Sequence, residues 1–309
     1  MTPTVRLAAV LLVLSVAGCQ SVKRALVEQG IEGRRGEAGL AEREILVDGR
    51  RVAYLERPGN GPTVVLLHGF GASKDVWLPF AAELPEGFRV LVPDLPGHGG
   101  SERDSTVRYD AERLAGSVER WLRAVAPGPV HVAGNPLGGA VAAWLALGEP
   151  DRVRSLGLFA PAGVASPVPS TLDSLVQGGN RNPLIPTNRG ELDRLLDLAY
   201  SGDPNIPGPA RDVLAAGYER RAPFLRDLFE ALATGRDALR PRLPEIDEPA
   251  LLVWGAEDRI LDVSAAEVWA AGLPNETCAV YPETGHAPMS ERPADAARAF
   301  AALVREAAQ

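Results

Sequence analysis

The chain has 309 residues, of which 46% are hydrophobic and 23% are charged, and its formal net charge is −8. This length and composition are those of an ordinary globular protein with room for one large α/β domain and an insertion. The acidic balance and the lack of a basic stripe exclude nucleic acid as a partner.

The N-terminal segment predicts export. Arg6 precedes the apolar run 7–18, which ends at Cys19. Twelve residues at about 1.5 Å each cannot cross a hydrocarbon core of about 30 Å, so the run predicts a signal peptide over 1–18 rather than a transmembrane helix. Residues 16–19 are Val-Ala-Gly-Cys and resemble the lipobox of bacterial lipoproteins. The resemblance implies cleavage before Cys19 and lipid attachment to it; plain cleavage after a small residue is the alternative.

A lipid on Cys19 would determine the location of the mature chain. It would anchor the chain to a bacterial membrane, and the resemblance to bacterial lipoproteins implies the periplasmic face of the outer membrane, because Gln20 rather than aspartate follows the cysteine. The sequence contains 2 cysteines, so acylation of Cys19 leaves Cys278 without a partner. The exported domain must then be stable without disulfides.

The segment after the lipobox predicts a tether. Residues 19–42 are charged, contain glycine and have only scattered Leu, Val and Ile. Such a composition favours a flexible connection that holds the domain away from the bilayer. A short amphipathic helix around Val22–Gln29 is the alternative.

The strand pattern begins near residue 43. Short β-branched runs alternate with helical stretches, which predicts mostly parallel strands joined by crossover helices. The expected fold is α/β, with an eight-stranded sheet, flanking helices and a core formed by residues 43–160 and 240–309. The predicted strands are 44–47, 51–55, 63–67, 89–92, 130–133, 155–159, 250–254 and 277–281.

A segment of different composition separates the two parts of the core. Prolines interrupt residues 161–239, around amphipathic runs at 192–200 and 224–234. This pattern predicts a helical cap inserted after the sixth strand. Its apolar residues would form the core of the cap or a lid over an acyl pocket.

A sharp turn is expected between the fifth predicted strand and a helix rich in small residues. The turn reads Gly134-Asn135-Pro136-Leu137-Gly138. It resembles the nucleophile elbow G-x-S-x-G of the α/β-hydrolase family, with proline where that family has serine. The resemblance places the missing nucleophile at Pro136.

Pro136 changes what this turn can do. Its side chain offers no oxygen, thiol or carboxylate, and its ring fixes φ near about −65°, which excludes the positive φ usual at an elbow. Asn135 followed by Pro136 is also an ordinary helix start, with Asn as N-cap and Pro at the first helical position. A turn relaxed in this way is expected to displace the Leu137 N–H.

The histidines differ in their settings. His131 lies in an apolar strand, and His68 and His98 lie in glycine turns. Each of these three is interpreted as a structural residue that makes local hydrogen bonds. His286 follows the last predicted strand, where the α/β-hydrolase family keeps its catalytic histidine. The resemblance therefore implies that His286 is the catalytic base.

The resemblance also implies an acid and an oxyanion hole. Asp258 follows the seventh predicted strand and matches the carboxylate that orients the histidine, with Glu257 and Asp262 as lower-ranked alternatives. The backbone N–H groups of Phe70 and Leu137 match the two donors to the oxyanion. All of these positions would lie at the same edge of the sheet.

The resemblance to the α/β-hydrolase family extends over residues 45–304. Cap residues 179–186 look most like bacterial lipases of the monoacylglycerol-lipase type. This implies a carboxylic-ester hydrolase family, an acyl ester or lipid-like small molecule as ligand, and neither cofactor nor metal. Epoxide hydrolases and haloalkane dehalogenases are disfavoured because residue 136 is not aspartate. Carbon–carbon bond hydrolases share the serine motif and remain an alternative.

Serine-type catalysis is expected to be absent from this chain, because Pro136 occupies the position of the nucleophile. Two hypotheses account for that residue. In the first, the chain belongs to a lineage of active ester hydrolases and carries a recent, engineered or erroneous change. In the second, it is a non-catalytic lipoprotein that uses a hydrolase-like pocket to bind an acyl ligand or a partner.

Overall fold

An eight-stranded sheet organises the computed structural model, which describes residues 20–104, 109–179 and 181–308. The signal peptide predicted over 1–18 and the lipidation predicted at Cys19 lie outside the described residues. The strands are β1 Ala41–Val47, β2 Arg50–Arg57, β3 Thr63–Leu67, β4 Arg89–Pro93, β5 Val130–Gly134, β6 Val153–Phe159, β7 Ala250–Gly255 and β8 Glu276–Tyr281.

The strand order in the sheet is β1-β2-β4-β3-β5-β6-β7-β8. Strand β2 is antiparallel to both β1 and β4, and the other neighbouring strands are parallel. Each predicted strand overlaps an observed one, so the prediction of an α/β fold with a mostly parallel sheet is confirmed. The parallel strands all end at one edge of the sheet, which is where loops from different strands meet.

Helices cover both faces of the sheet. They are α1 Gln20–Glu37, α2 Leu78–Glu83, α3 Ala111–Val125, α4 Leu137–Gly148, α5 Thr171–Gln177, α6 Arg189–Ala199, α7 Gly208–Thr234, α8 Ser264–Gly272, α9 Pro288–Glu291 and α10 Pro293–Glu306. Short 3-10 helices occur at Lys74–Trp77 and Arg240–Glu245.

Alternate residues of the central strands face opposite sides of the sheet. In β3, Val65 and Leu67 pack into a cluster with α3, α4 and α8, whereas Val64 and Leu66 pack into a second cluster with α2 and α10. All of these side chains are fully buried. A strand covered on both faces needs apolar residues at every position, which explains the continuous apolar run.

Helices α5, α6 and α7 lie between β6 and β7 in the chain. Helix α7 is longer than the amphipathic run predicted at 224–234, because it begins at Gly208 and continues through Pro223. A proline inside a helix costs about 3 kcal/mol. Burial of Phe224 and Leu225 in the main core offsets this cost, so packing overrides the local signal for a break.

The structure corrects the tether predicted at residues 20–42. This segment forms α1, after which β1 begins at Ala41, so the alternative of a helix at Val22–Gln29 holds over a longer range. Four partly buried residues recur every four positions and form one stripe along α1, which consists of Lys23, Val27, Ile31 and Arg35; Val22 beside it is also partly buried. The glycines of α1 weaken its intrinsic stability. Contacts of this stripe, rather than propensity, therefore hold the helix.

The lowered pKa values of three buried histidines predict how the free energy of unfolding depends on pH. Burial lowers the pKa of His68 to about 4, of His98 to about 3 and of His131 to about 4. In the unfolded chain each histidine binds its proton near pH 6.5. The unfolded state therefore binds more protons than the folded state between about pH 6.5 and 4, and the free energy of unfolding falls as the pH drops through this window.

We expect each of these histidines to contribute on the order of 1 kcal/mol of lost stability per pH unit within that window. Urea unfolding at a series of pH values measures the slope. The His131→Gln variant removes one titrating group, so its stability should fall less steeply with pH than that of the parent. Identical slopes for the two proteins would contradict the assignment of His131 as a buried neutral residue.

Candidate active site

The predicted site residues follow three different parallel strands. Pro136 follows β5, Asp258 follows β7 and His286 follows β8. Because β5, β7 and β8 run parallel through β6, their carboxyl ends meet at one edge of the sheet. The fold thereby brings the loops that carry these residues together from distant parts of the chain.

His286 and Asp258 form a buried pair. The distance from His286 Nδ1 to Asp258 Oδ2 is 2.7 Å, and the two residues are 6% and 7% exposed. Asp258 Oδ1 accepts hydrogen bonds from the backbone N–H groups of Ile260 and Leu261 at 2.8 and 2.9 Å. A carboxylate in this position keeps the proton on Nδ1 and leaves Nε2 as the basic nitrogen. Asp258 is thus a turn residue and the partner of His286 at once.

The lower-ranked acids have other partners. Glu257 accepts a hydrogen bond from the Ser201 hydroxyl at 2.8 Å. Asp262 accepts one from the Ser264 N–H at 2.9 Å. Neither carboxylate bonds to His286 in the described part of the chain, so the geometry favours Asp258 over both.

The main chain of His286 is held on both sides. Its N–H donates to Ala199 O at the end of α6 at 2.8 Å, and its carbonyl accepts from Asn135 Nδ2 at 3.0 Å. The preceding Gly285 N–H donates to the Glu291 carboxylate at 3.0 and 3.1 Å. These bonds fix the imidazole without any contribution from the side chain at position 136.

The structure corrects the N-cap role predicted for Asn135. Its amide donates to Phe159 O at 2.9 Å as well as to His286 O, and it does not cap α4. Asn135 therefore joins the end of β6 to the histidine loop. Nothing in the sequence distinguishes this role from capping, because a cap and a long-range amide bridge need the same residue type.

Pro136 lies at the turn between β5 and α4. Its φ is −75° and its ψ is −37°, so the prediction of a φ near the proline value is confirmed. Neither Asn135 nor Pro136 has positive φ. A Cβ on Gly69 would lie 2.4 Å from Pro136 Cδ, so the ring packs directly against the loop after β3. The turn has the relaxed form of a helix start rather than the strained form of an elbow.

The glycines of the motif permit close approach of the main chain. A Cβ on Gly138 would lie 2.0 Å from Leu67 O, and one on Gly134 would lie 2.1 Å from the Gly138 carbonyl carbon. No side chain fits at either distance. The tight contact between β3, β5 and α4 that this turn requires is therefore kept, although its central residue is proline.

The two predicted oxyanion donors have free N–H groups. Among the described residues, no group accepts a hydrogen bond from the N–H of Phe70 or of Leu137. The Phe70 ring packs edge-on against Phe229 of α7, with 6.1 Å between ring centroids. Neither N–H group is thus used within the described part of the protein, and the expected displacement of the Leu137 N–H stays a prediction.

Helix α7 lies against the loop that carries Phe70. Arg221 Nη2 donates to Gly71 O at 3.1 Å, and a Cβ on Gly71 would lie 2.9 Å from the Tyr218 ring. Burial lowers the pKa of Arg221, and no carboxylate pairs with it in the described ranges. Sequence reasoning missed this arginine, because its place in a charged helix resembles an ordinary exposed position.

The other histidines make hydrogen bonds inside the fold. Those of His68 and His98 include the local partners predicted, and those of His68 and His131 include partners 27 and 24 positions away. His68 accepts from the Leu95 N–H at 3.0 Å and contacts Gly69 O at 2.9 Å through Nδ1. His98 Nδ1 lies 3.1 Å from Pro96 O. His131 Nδ1 lies 2.8 Å from Ser155 Oγ in β6. All of them serve the packing of the core.

A cavity of about 320 Å³ lies between the β1–β2 hairpin, the loop after β4 and α3. Neither Pro136, Asp258 nor His286 lines it.

The part of the chain that the structure describes contains no group of three or more His, Cys, Asp or Glu residues arranged to hold a metal ion.

Replacement of Asn135 by alanine is expected to lower the free energy of unfolding by roughly 2 to 4 kcal/mol, because two buried carbonyl oxygens lose their donor. Replacement by aspartate should cost more, since a carboxylate would face both carbonyl oxygens. Urea unfolding measures both effects. Exposed Asn275, which donates to Asp247 O at 2.9 Å, is the matched control, and Asn275→Ala should change stability far less. Equal effects at the two positions would refute the bridging role.

Comparison with known proteins gives consistent matches. A family model described as the alpha/beta hydrolase fold matches residues 62–293. "Monoacylglycerol lipase abhd6-B" of Xenopus laevis is 34% identical over 255 residues, which cover 78% of this chain and 75% of that protein. "Lipase 3" of Moraxella sp. strain TA144 is 27% identical over 304 residues, which cover 96% of each chain.

A solved structure is similar over its whole length. The crystal structure of "a membrane phospholipase A, a novel bacterial virulence factor" has a TM-score of 0.90 and 36% sequence identity, and the match covers 100% of both chains. Helices in the described ranges are all too short or too polar to span a membrane.

Proposed function

Because the chain belongs to the α/β-hydrolase family, in its lipase and esterase branch, we propose that it binds an acyl ester or lipid-like molecule at a membrane without serine-type hydrolysis. The observation that carries this proposal is Pro136 at the turn after β5, in its relaxed conformation, beside a buried His286–Asp258 pair.

The chemistry explains why the proline matters. In a serine hydrolase of this fold, the imidazole removes a proton from the serine hydroxyl, the oxygen attacks the ester carbonyl, and two N–H groups stabilise the oxyanion. Here His286 Nε2 has no hydroxyl at position 136 to deprotonate. No acyl-enzyme can form, and loss of a serine nucleophile alone costs about six orders of magnitude in turnover.

Binding of the ligand needs fewer groups than hydrolysis. The N–H groups of Phe70 and Leu137 can donate hydrogen bonds to a carbonyl or carboxylate oxygen, and the Phe70–Phe229 contact supplies apolar surface beside them. Relatives named as a monoacylglycerol lipase and a phospholipase support a glycerolipid or its acyl product as ligand. The site needs neither cofactor nor metal for this role, and we propose no nucleic-acid partner.

We place the protein on the periplasmic face of a bacterial outer membrane, held by lipid on Cys19. The lipobox resemblance of residues 16–19 supports the anchor, and Gln20 supports the sorting. The phospholipase to which the chain is similar is itself described as a membrane protein.

Two other functions remain in competition. The chain can belong to a lineage of active ester hydrolases in which residue 136 has changed recently, and the 2.7 Å contact between His286 Nδ1 and Asp258 Oδ2 is compatible with such a history. A relative of the carbon–carbon bond hydrolases shares the same motif. Turnover of an ester or of a carbon–carbon substrate after restoration of the serine separates these two chemistries.

A binding experiment tests the proposed role. A fluorescent fatty acid is titrated into the chain and then displaced with a monoacylglycerol or a lysophospholipid. We expect saturable binding that is weakened by Phe229→Glu, because a charge beside Phe70 opposes an apolar acyl chain. Phe229→Leu is the matched control and should retain binding. Saturable binding with no loss in Phe229→Glu, or no binding at all, would contradict an acyl pocket at this place.

A further inference from the structure

An ion pair joins the start of α1 to the cap, which consists of helices α5, α6 and α7. Lys23 Nζ lies 3.0 Å from Asp212 Oδ2 near the beginning of α7. Asp212 also accepts a hydrogen bond from Arg189 Nη1, at the start of α6, at 2.9 Å. One carboxylate therefore joins the starts of α1, α6 and α7, and their relative positions are set at a single point.

The same helix is fastened to the core at its end. Arg35 donates two hydrogen bonds to the Asp75 carboxylate, at 2.7 and 2.9 Å, and a third to Glu42 at 2.6 Å. Between the two ends, Ile31 packs against the hydrophobic cluster that also contains α2 and α10. A bidentate arginine pair is geometrically specific. The helix is thus a rigid part of the domain and not a flexible connection.

The predicted lipid attachment site is close in the chain to the Lys23–Asp212 ion pair. Cys19 precedes Gln20, the first residue of α1, and lies four residues before Lys23. Four residues span about 6 Å in a helix and at most about 14 Å when extended. A flexible tether over 24 residues, 19–42, would instead have a mean reach of roughly 27 Å and allow any orientation.

We propose that α1 holds the cap against the bilayer, so that the face formed by the starts of α1 and α7 rests on the lipid headgroups. This inference depends on the lipid anchor at Cys19 that we proposed above. Exposed residues near these two helix starts include Leu26 of α1, which is 62% exposed, and Gly208 and Pro209 of α7. An exposed leucine beside a lipid anchor can insert into the interface and adds to the binding.

This orientation connects the bilayer to the site. Helix α7 has Asp212 near its membrane-facing start and Arg221, which bonds to Gly71 O, nine residues further along. That separation is about 14 Å along a helix axis. The loop with Phe70 therefore lies about 14 Å along one helix from the face that we place against the bilayer.

Site-directed fluorescence tests the orientation. The lipidated chain is bound to vesicles of phosphatidylethanolamine and phosphatidylglycerol that carry a headgroup spin label, a short-range quencher. One protein is labelled at Leu26→Cys in a Cys278→Ser background. The control is the parent labelled at its native exposed Cys278, in β8 at the opposite edge of the sheet from β1. We expect strong quenching at position 26 and none at 278.

A second variant keeps the anchor and removes the rigid connection. Insertion of a long Gly/Ser segment between Gln20 and Ser21 should abolish the difference between the two labels. Equal or reversed quenching in vesicle-bound protein without the insertion would overturn the proposed orientation and leave the lipid anchor intact. Protein that carries no lipid and does not float with vesicles would instead overturn the anchor, and the orientation with it.

Discussion

The variant Pro136→Ser is expected to hydrolyse short and medium acyl esters orders of magnitude faster than the parent, and the parent no faster than its own His286→Ala variant. The serine hydroxyl supplies the missing nucleophile to an imidazole that is already 2.7 Å from Asp258 Oδ2. Steady-state rates on a series of p-nitrophenyl esters measure the gain. Removal of the serine or the histidine of a serine triad costs about as much as removal of all three residues, which sets the expected scale near six orders of magnitude.

Two controls separate catalysis from a change in folding. Pro136→Ala relaxes the ring constraint without supplying a nucleophile, and the double variant Pro136→Ser/His286→Ala supplies the nucleophile without a base. Both should remain at the parent rate. Turnover by the parent that survives His286→Ala would contradict the proposed site as a whole.

The same serine variant should be less stable than the parent. Serine at an elbow adopts positive φ, and strain of this kind costs on the order of 1 to 3 kcal/mol. Matched thermal melts and a crystal structure of each protein measure this effect. A Pro136→Ser protein with unchanged stability and a relaxed turn would contradict the expected strain at this position.

Membrane attachment is expected to depend on Cys19. Each buried lipid CH₂ contributes about 0.8 kcal/mol, and two or more acyl chains suffice for stable anchoring. The variant Cys19→Ser cannot receive lipid, and none of the helices in the described ranges can span a bilayer. After removal of residues 1–18, the chain should therefore move from the membrane fraction to the soluble fraction, as measured by cell fractionation.

The fractionation result for Cys19→Ser is informative only when residues 1–18 have been removed from the chain. A Cys19→Ser chain that starts at residue 19, exported by an unrelated cleavable signal, provides a mature protein without lipid and avoids retention of an uncleaved precursor. Cys278→Ser is the matched control, because it removes a cysteine without touching the lipobox. A wild-type protein found soluble and free of lipid would refute the anchor.

The sequence predicted the sheet well because its signal is local. Residues 64–67 are apolar at every position, and β3 is observed at Thr63–Leu67, as predicted. Helix α1 was not predicted over its length, since its stability depends on Lys23, Ile31 and Arg35 contacting residues far away in the chain. Periodicity alone did not separate this helix from a charged linker.

At the site, residue types were easier to predict than contacts. The places of His286 and Asp258 after β8 and β7 follow from the order of strands and loops, and the structure brings the two side chains together. The Asn135 amide donates to Phe159 O, 24 positions away, and to His286 O, 151 positions away. Such a bridge has no local signature in the sequence. Long-range amide contacts of this kind become visible only when the fold is known.

The bonds that hold His286 bear on the history of the chain. Asn135, Ala199 and Glu291 fix the main chain of the histidine loop, and each of these contacts also contributes to folding. Natural selection for a stable protein is therefore sufficient to retain this geometry after turnover is lost. An intact histidine and aspartate do not date the change at residue 136, and because serine and proline codons can differ by one base, such a lineage stays a single mutation from an enzyme.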